Sequence, residues 1–170
     1  MKQSRLKAAR DGKEILSNAA ELLARRGMRF TTVRRLVLEL LCREQKAIGA
    51  YDLASALEAL SGRRVAANTV YRALDFLAEQ GLVAHLASTR TYVARIHHDG
   101  AESSVFFVCT ECGETTERQE PNVQRAVRTA ANAIGFIARA RAIDVEGFCK
   151  ACTQGRRPER FRLRTASSKA

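Results

Sequence analysis

Apolar residues in the first half of the chain recur every three or four positions, which is the spacing of amphipathic helices. They predict four helices, of which Gly27 ends the first, Thr31 or Thr32 caps the second, and Gly81 follows the last. The predicted spans are 13–26, about 32–41, about 50–60 and about 67–80. Two β-like runs come next, over 82–86 and 91–96. Short helices followed by a hairpin are the order of a winged helix-turn-helix domain.

The fourth predicted helix has two chemically different faces. Its apolar positions are Val70, Ala73, Leu74 and Leu77. Roughly opposite lie Asn68, Tyr71, Arg72 and Asp75. An Arg side chain can form two hydrogen bonds with a guanine edge, Asn can pair with adenine, and Tyr can contact phosphate or a thymine methyl group. This face therefore suits a DNA major groove, and an ordinary solvent-exposed face is the alternative interpretation.

The second half of the chain has β-like runs on either side of one helix. Strands are predicted over 103–109, 114–119 and 136–147, and the helix runs from Pro121 to a stop at Gly135. The apolar stripe of this helix is Val123, Ala126, Val127, Ala130 and Ile134. The sequence therefore predicts an α+β protein, with a winged helix-turn-helix domain over 1–88, whose hairpin extends to 96, and a small α/β domain over 97–153.

The charge distribution separates these two parts. Of the formal net charge of +11, residues 1–96 carry +8, residues 97–152 carry −2 and residues 153–170 carry +5. A basic N-terminal half favours a polyanionic partner such as DNA, and a solvated basic surface is the alternative. The tail 154–170 has few apolar residues and is predicted to be disordered. Since no apolar run approaches the roughly 20 residues of a membrane-spanning helix, we expect a soluble, cytoplasmic protein.

Four of the five cysteines form two Cys-x-x-Cys pairs. Cys109 and Cys112 are separated from Cys149 and Cys152 by 36 residues. Four thiolates match the tetrahedral preference of Zn²⁺, and they leave no open position for catalysis, so the predicted zinc is structural. The alternative is a pair of redox-active disulfides in a redox-responsive regulator. Cys42 lies in an apolar stretch and is predicted to be a buried core thiol.

The sequence lacks the motifs of several common enzyme classes. There is no His-Glu-x-x-His pair, no phosphate-binding loop and no nucleophile elbow. With three histidines and a metal site filled by four cysteines, the chain is not predicted to be an enzyme.

Several motifs together resemble the ferric uptake regulator (Fur) family, and within it the zinc uptake regulator (Zur) branch. They are AYDL at 50–53, NTVYRALDFL at 68–77, EQGLV at 79–83, STRTYV at 88–93, CTECG at 109–113 and the final Cys149-x-x-Cys152. The resemblance implies a bacterial homodimeric repressor that controls metal homeostasis genes, most directly those for zinc. It also implies that the winged helix binds an inverted-repeat operator in double-stranded DNA and that the C-terminal domain forms the dimer.

The resemblance also implies particular DNA-contacting residues. Family contacts match Tyr71 and Arg72, with Asn68 and Thr69 as their neighbours. Arg34 matches the Arg of a segment that usually reads Thr-Pro-Gln-Arg, although Thr32 and Val33 replace Pro and Gln here.

The sequence departs from the family at the second, sensory metal site. The places of its His, Cys, His and Glu ligands hold Ala84, Arg95, approximately Glu102, and Glu117. Arg95 brings a fixed positive charge and no lone pair to a ligand position. His85 adjoins the first place but points to the opposite side of a strand, so it substitutes only with a register shift.

Two hypotheses follow for this altered site. In the first, a relocated regulatory metal binds to the loop residues His97, His98, Asp99 and Glu102 together with Glu117, and the alternative for the histidines is a solvated loop. In the second, Arg95 replaces the metal ion and pairs with Glu117 or Glu102 in a metal-independent repressor.

Overall fold

The computed structural model describes residues 2–44, 46–95, 104–138 and 142–155. Its N-terminal part is a bundle of four helices. The helices are α1 (Lys2–Arg25), α2 (Thr32–Arg43), α3 (Ala50–Ser61) and α4 (Ala67–Glu79). The Thr31 side chain caps α2 by accepting a hydrogen bond from the Arg34 backbone N–H, as predicted. Gly81 follows α4 with a φ of 76°, a left-handed conformation that glycine adopts without steric cost.

Helix α1 begins earlier than the prediction of a start at Lys13. Residues 2–12 contain Lys, Arg, Ala and Leu, which favour helix, and no Pro. The apolar stripe marked the part of α1 in which Ile15, Ala19 and Leu23 are buried. The stripe therefore located these buried residues and not the first residue of the helix.

The two strands β1 (Val83–Leu86) and β2 (Thr91–Ala94) form an antiparallel wing that packs on both faces. Val83 and Ala94 face the helical core together with Tyr92, whose backbone also pairs with Ile48. Ala84 and Leu86 face the other way, into a second apolar cluster. The wing therefore lies between the helices and the C-terminal half.

The C-terminal half contains a three-stranded sheet in the order β4-β3-β5. Its strands are β3 (Ser104–Cys109), β4 (Thr115–Gln119) and β5 (Ile143–Gly147), followed by the short helix α6 (Lys150–Gly155). Helix α5 (Pro121–Ala133) connects the antiparallel neighbour β4 to the parallel neighbour β5. The predicted helix–strand alternation of this half is confirmed.

The prediction of a strand over the whole of 136–147 is wrong. Strand β5 begins at Ile143, and residues 136–138 are not in a strand. The parallel ladder joins Val105 to Ile143 and Cys109 to Gly147, so β3 is long enough to pair only with the last part of the predicted run. The chain also continues as α6 to Gly155, beyond the last cysteine. No helix in the described residues is long and apolar enough to cross a membrane.

Candidate metal centre and nucleic-acid interface

The topology of the C-terminal sheet brings the two cysteine pairs together. Cys109 is the last residue of β3, and Cys149 follows the end of β5 by two residues. Because β3 and β5 are adjacent and parallel, their carboxyl ends lie at the same edge. A tight turn with Gly113 at a φ of 72° places Cys112 beside Cys109, and the start of α6 places Cys152 beside Cys149. A 36-residue gap in sequence is therefore closed by strand pairing.

The four thiols fit a tetrahedral zinc ion. Their Sγ atoms all lie within 4.8 Å of one another, and Cys112 Sγ is 3.8 Å from Cys149 Sγ. A Zn–S bond of about 2.3 Å in tetrahedral geometry requires sulfur atoms about 3.8 Å apart. Within the described part of the chain, this is the only cluster of three or more potential Cys, His, Asp or Glu ligands. The cluster of Cys109, Cys112, Cys149 and Cys152 therefore fits a structural Zn²⁺ as the cofactor.

The surroundings of Cys109 favour its thiolate form. Burial would raise the pKa of this thiol, but hydrogen bonds from the backbone N–H groups of Cys149, Cys112 and Glu111 outweigh burial and lower the pKa to about 6. The bond from the Cys149 N–H is 3.3 Å long. Backbone donors of this kind are typical of sites that stabilise metal-bound sulfur.

Helix α4 presents a polar face to solvent, as its pattern predicted. Val70, Ala73, Leu74 and Leu77 are buried in the helical core. Asn68, Thr69, Tyr71, Arg72 and Asp75 are exposed. The predicted DNA-contacting residues of α4 are therefore placed together on one accessible face of one helix.

A tyrosine on α3 adds to this face and was missed by the sequence argument. Tyr51 is 72 % exposed, and its ring meets the ring of Tyr71 edge to face, with 6.3 Å between their centroids. The motif AYDL at 50–53 includes this tyrosine, but periodicity along a single helix cannot show that two helices bring their tyrosines together.

Arg34 is partly exposed on α2 and contacts Phe76, a partly buried residue of α4 that lies one turn after Arg72. Its guanidinium carbon is 3.3 Å from the centroid of the Phe76 ring, and its Nη1 donates a hydrogen bond to the Arg29 carbonyl oxygen at 2.6 Å. These contacts connect α2 and the turn before it to α4. The assignment of Arg34 as a DNA contact stays a prediction.

The junction between the wing and the C-terminal sheet contains a buried ion pair. Arg95 follows β2 and Glu117 lies on β4, with 3.8 Å between Nε and Oε1. Their side chains are 4 % and 3 % exposed. Burial lowers the pKa of the Arg95 guanidinium, and the negative charge of Glu117 opposes that shift. An arginine retains its charge in such surroundings.

The other residues considered for a regulatory site are not brought together in the described structure. Ala84 lies in an apolar cluster with Leu86, Phe106 and Val108. His85 is exposed on the opposite side of β1 and packs against Tyr92, with 4.8 Å between ring centroids. His97, His98, Asp99 and Glu102 lie outside the described residues.

Comparison with known proteins assigns the chain to a family, in agreement with the cysteine site and the polar face of α4. The sequence profile of the ferric uptake regulator family matches residues 25–145. The chain belongs to the ferric uptake regulator family. It is 37 % identical over 142 residues to the zinc uptake regulation protein of Escherichia coli K12, an alignment that covers 83 % of this chain and 82 % of that protein. The zinc uptake regulation protein of Shigella flexneri matches equally well. The chain is thus a regulator and not an enzyme.

Solved structures of zinc uptake regulators share the fold. A zinc uptake regulator in complex with zinc and DNA superposes with a TM-score of 0.77 at 36 % identity, over 84 % of this chain and 95 % of that one. The holo form of XcZur superposes with a TM-score of 0.72 at 32 % identity, over 83 % and 98 % of the two chains. The apo form of XcZur superposes with a TM-score of 0.50.

Proposed function

We propose that this family member is a homodimeric transcriptional repressor that binds an inverted-repeat DNA operator and controls zinc homeostasis genes in the bacterial cytoplasm. The observation that carries the proposal is the outward face of α4, where Asn68, Tyr71 and Arg72 stand exposed on a helix whose opposite face is fully packed. A rigid helix with Arg and Asn on one accessible face can read base edges in a major groove. The similar regulator solved with zinc and DNA supports the assignment.

Tyr51 joins this surface as a proposed phosphate or base contact. Its ring supports Tyr71 from α3, so the two tyrosines hold each other in position. Because a side chain already held in place loses little conformational freedom on binding, such a pair favours affinity. Two exposed arginines, Arg25 at the end of α1 and Arg35 on α2, supply positive charge for the flanking phosphates.

Homodimerisation is supported by the apolar surface that one copy leaves uncovered. Val123, Val127 and Ile134 on and after α5 are 40 %, 39 % and 80 % exposed, and Phe107 and Val145 are exposed on the sheet. Val123, Val127 and Ile134 share one stripe of this segment, and a continuous apolar surface of this kind is typical of a protein interface. Two copies of the chain would bring two α4 helices to the two half-sites of an inverted repeat.

The proposed sensing site is altered relative to the metal site that the family resemblance implies. Ala84 packs among apolar side chains, and Arg95 occupies a ligand position and lies beside Glu117. A cation fixed at this position repels a second metal ion. We therefore propose that the chain carries one structural zinc and responds to metal differently from regulators that bind a second zinc there.

The experiment that tests the function selects duplexes from a random DNA library with the full-length protein and then measures binding to the selected duplex at several salt concentrations. Arg72→Ala should weaken this binding by about 1–3 kcal/mol and relax the base preference, as expected for loss of a base contact. Arg118→Ala is the matched control, because Arg118 is an exposed arginine on β4, away from α4. Absence of any selected sequence, or equal loss in the two variants, would contradict the proposal.

A further inference from the structure

The ion pair at the junction is anchored on both sides to regular structure. On the wing side, the Arg95 backbone N–H donates a hydrogen bond to the Leu82 carbonyl oxygen at 3.0 Å, next to the start of β1. On the sheet side, Glu117 lies within β4 and pairs with Phe106 on the central strand. The contact between Arg95 and Glu117 therefore joins two rigid elements, the wing and the C-terminal sheet.

The carboxylate of Glu117 is held in position by a short relay of hydrogen bonds. Ser104 Oγ donates to Glu117 Oε1 at 2.6 Å, and Gln119 Nε2 donates to Ser104 Oγ at 3.0 Å. Ser104 is completely buried. A carboxylate taken out of water needs both hydrogen bonds and a positive charge to be stable, and the chain supplies the charge as Arg95.

Apolar side chains exclude water around this pair. Ala84 and Leu86 of the wing pack against Phe106 and Val108 of β3. The Arg95 guanidinium carbon lies 5.9 Å from the centroid of the Phe106 ring. Low local polarity strengthens the attraction between opposite charges and makes the loss of either partner costly.

A second polar contact supports the same orientation of the wing. The backbone N–H of Ser88, in the turn between β1 and β2, donates to Asp144 Oδ2 on β5 at 2.9 Å. The wing is thus attached to the sheet near both of its ends, at the turn by Asp144 and after β2 by Glu117.

We propose that Arg95 and Glu117 form a built-in clamp that fixes the wing, and with it α4, in one orientation on the C-terminal sheet, so that DNA binding needs no ligand at this junction. The inference rests on the proposed function, because the orientation of α4 affects DNA binding only if α4 contacts the DNA. A guanidinium is covalently part of the chain and does not dissociate as a bound metal ion does. The orientation of α4 is therefore independent of the free concentration of divalent cations.

The chain superposes on the holo form of XcZur with a TM-score of 0.72 and on the apo form with a TM-score of 0.50, at the same 32 % identity. The fold of this chain, taken as a whole, is therefore more similar to the holo form.

The first test measures binding of the selected duplex by the full-length protein while EDTA is added, with zinc content determined in parallel. We expect binding to persist as long as one zinc per chain is retained in the cysteine site. Binding that falls by about tenfold or more while that zinc is retained, and returns when Zn²⁺ is added back, would overturn the proposal, because it would show a second, required metal.

The second test uses variants of the clamp. Arg95→Gln should weaken duplex binding by about 5- to 150-fold, the usual range of coupling between two sites. The double variant Arg95→Gln/Glu117→Gln removes both charges at once and keeps the protein folded if the single variant does not fold. Arg118→Ala removes a neighbouring exposed arginine of β4 and should bind like the original protein.

Hydrogen exchange gives a readout that does not depend on DNA. Loss of the clamp should speed amide exchange in β1 and β2 and leave the buried middle of α2 and α4 protected. Unchanged exchange in both variants, together with unchanged duplex binding, would refute the clamp. If the original protein selects no duplex, the proposed function fails, and the exchange comparison still decides whether Arg95 and Glu117 hold the wing.

Discussion

The surroundings of two cysteines of this chain, Cys42 and Cys109, shift the pKa of the thiol in opposite directions. Burial, together with the negative charge of Glu39, raises the pKa of the Cys42 thiol to about 12. Backbone N–H donors lower the pKa of Cys109 to about 6 despite its burial. Reactivity follows the thiolate form, so Cys42 is expected to be inert and Cys109 to ionise readily.

Cys42 should therefore resist thiol reagents until the protein unfolds. At pH 8, a disulfide reagent such as DTNB should leave Cys42 unmodified in the native zinc-bound protein and modify it in denaturant. Cys42→Ala should show the same number of native reactive thiols as the original chain. The pKa of the Cys42 thiol is about 8.5 in the unfolded chain and about 12 in the folded protein. The contribution of this thiol to the free energy of unfolding is therefore fully present below about pH 8.5 and is lost as the pH rises from about 8.5 to about 12. Rapid native modification of Cys42 would show that the residue is accessible.

Arg34 should stabilise the fold whether or not DNA is present. Arg34→Ala removes the contact with Phe76 and the hydrogen bond to the Arg29 carbonyl, so we expect a loss of about 1–2 kcal/mol in the free energy of unfolding. Urea denaturation measures this loss, and Arg35→Ala, an exposed neighbour with a longer ring contact of 5.3 Å, is the control. Unchanged stability with weakened DNA binding would instead make Arg34 a simple phosphate contact.

At the scale of elements, apolar periodicity predicted the buried face of α4, but the similar stripe of α5 leaves Val123 and Val127 exposed. Periodicity also failed where strand pairing decides. The apolar stripe of α4 predicted its buried residues, because a helix that lies on a core must place them at that spacing. The start of β5 was not predictable, because it depends on the length of its partner β3. The pairing of Arg95 with Glu117 likewise needed the register of β4, which a single sequence does not contain.

The end of α4 depends on a backbone conformation that favours glycine. Gly81 has a φ of 76° with open space where a side chain would begin, so Gly81→Ala introduces backbone strain without a clash. We expect a loss of about 1–2 kcal/mol in the free energy of unfolding. Gly147→Ala is the matched control, because Gly147 also has open space but no left-handed φ. Equal urea midpoints for the two variants would contradict this assignment.

For the whole molecule, the zinc site and the helical core are expected to contribute separately to stability. The four cysteines close the edge of the C-terminal sheet where β3 and β5 end. The core of α1–α4 is built from its own buried side chains, including Leu23, Leu38, Leu53 and Leu74. Metal binding stabilises only the state that presents all four ligands together. The free energy of zinc binding therefore stabilises mainly the C-terminal sheet.

Removing zinc should therefore loosen the C-terminal half first. Cys109→Ser should reduce the zinc content and speed amide exchange in β3 and β5, while circular dichroism retains most of the helical signal of α1–α4. Cys42→Ser is the control and should keep one zinc per chain, because Cys42 lies on α2, outside the cluster. Loss of the helical signal together with the zinc would mean that the two halves unfold as one unit. The junction between the wing and the sheet, with its ion pair and apolar cluster, would then be strong enough to carry that cooperativity.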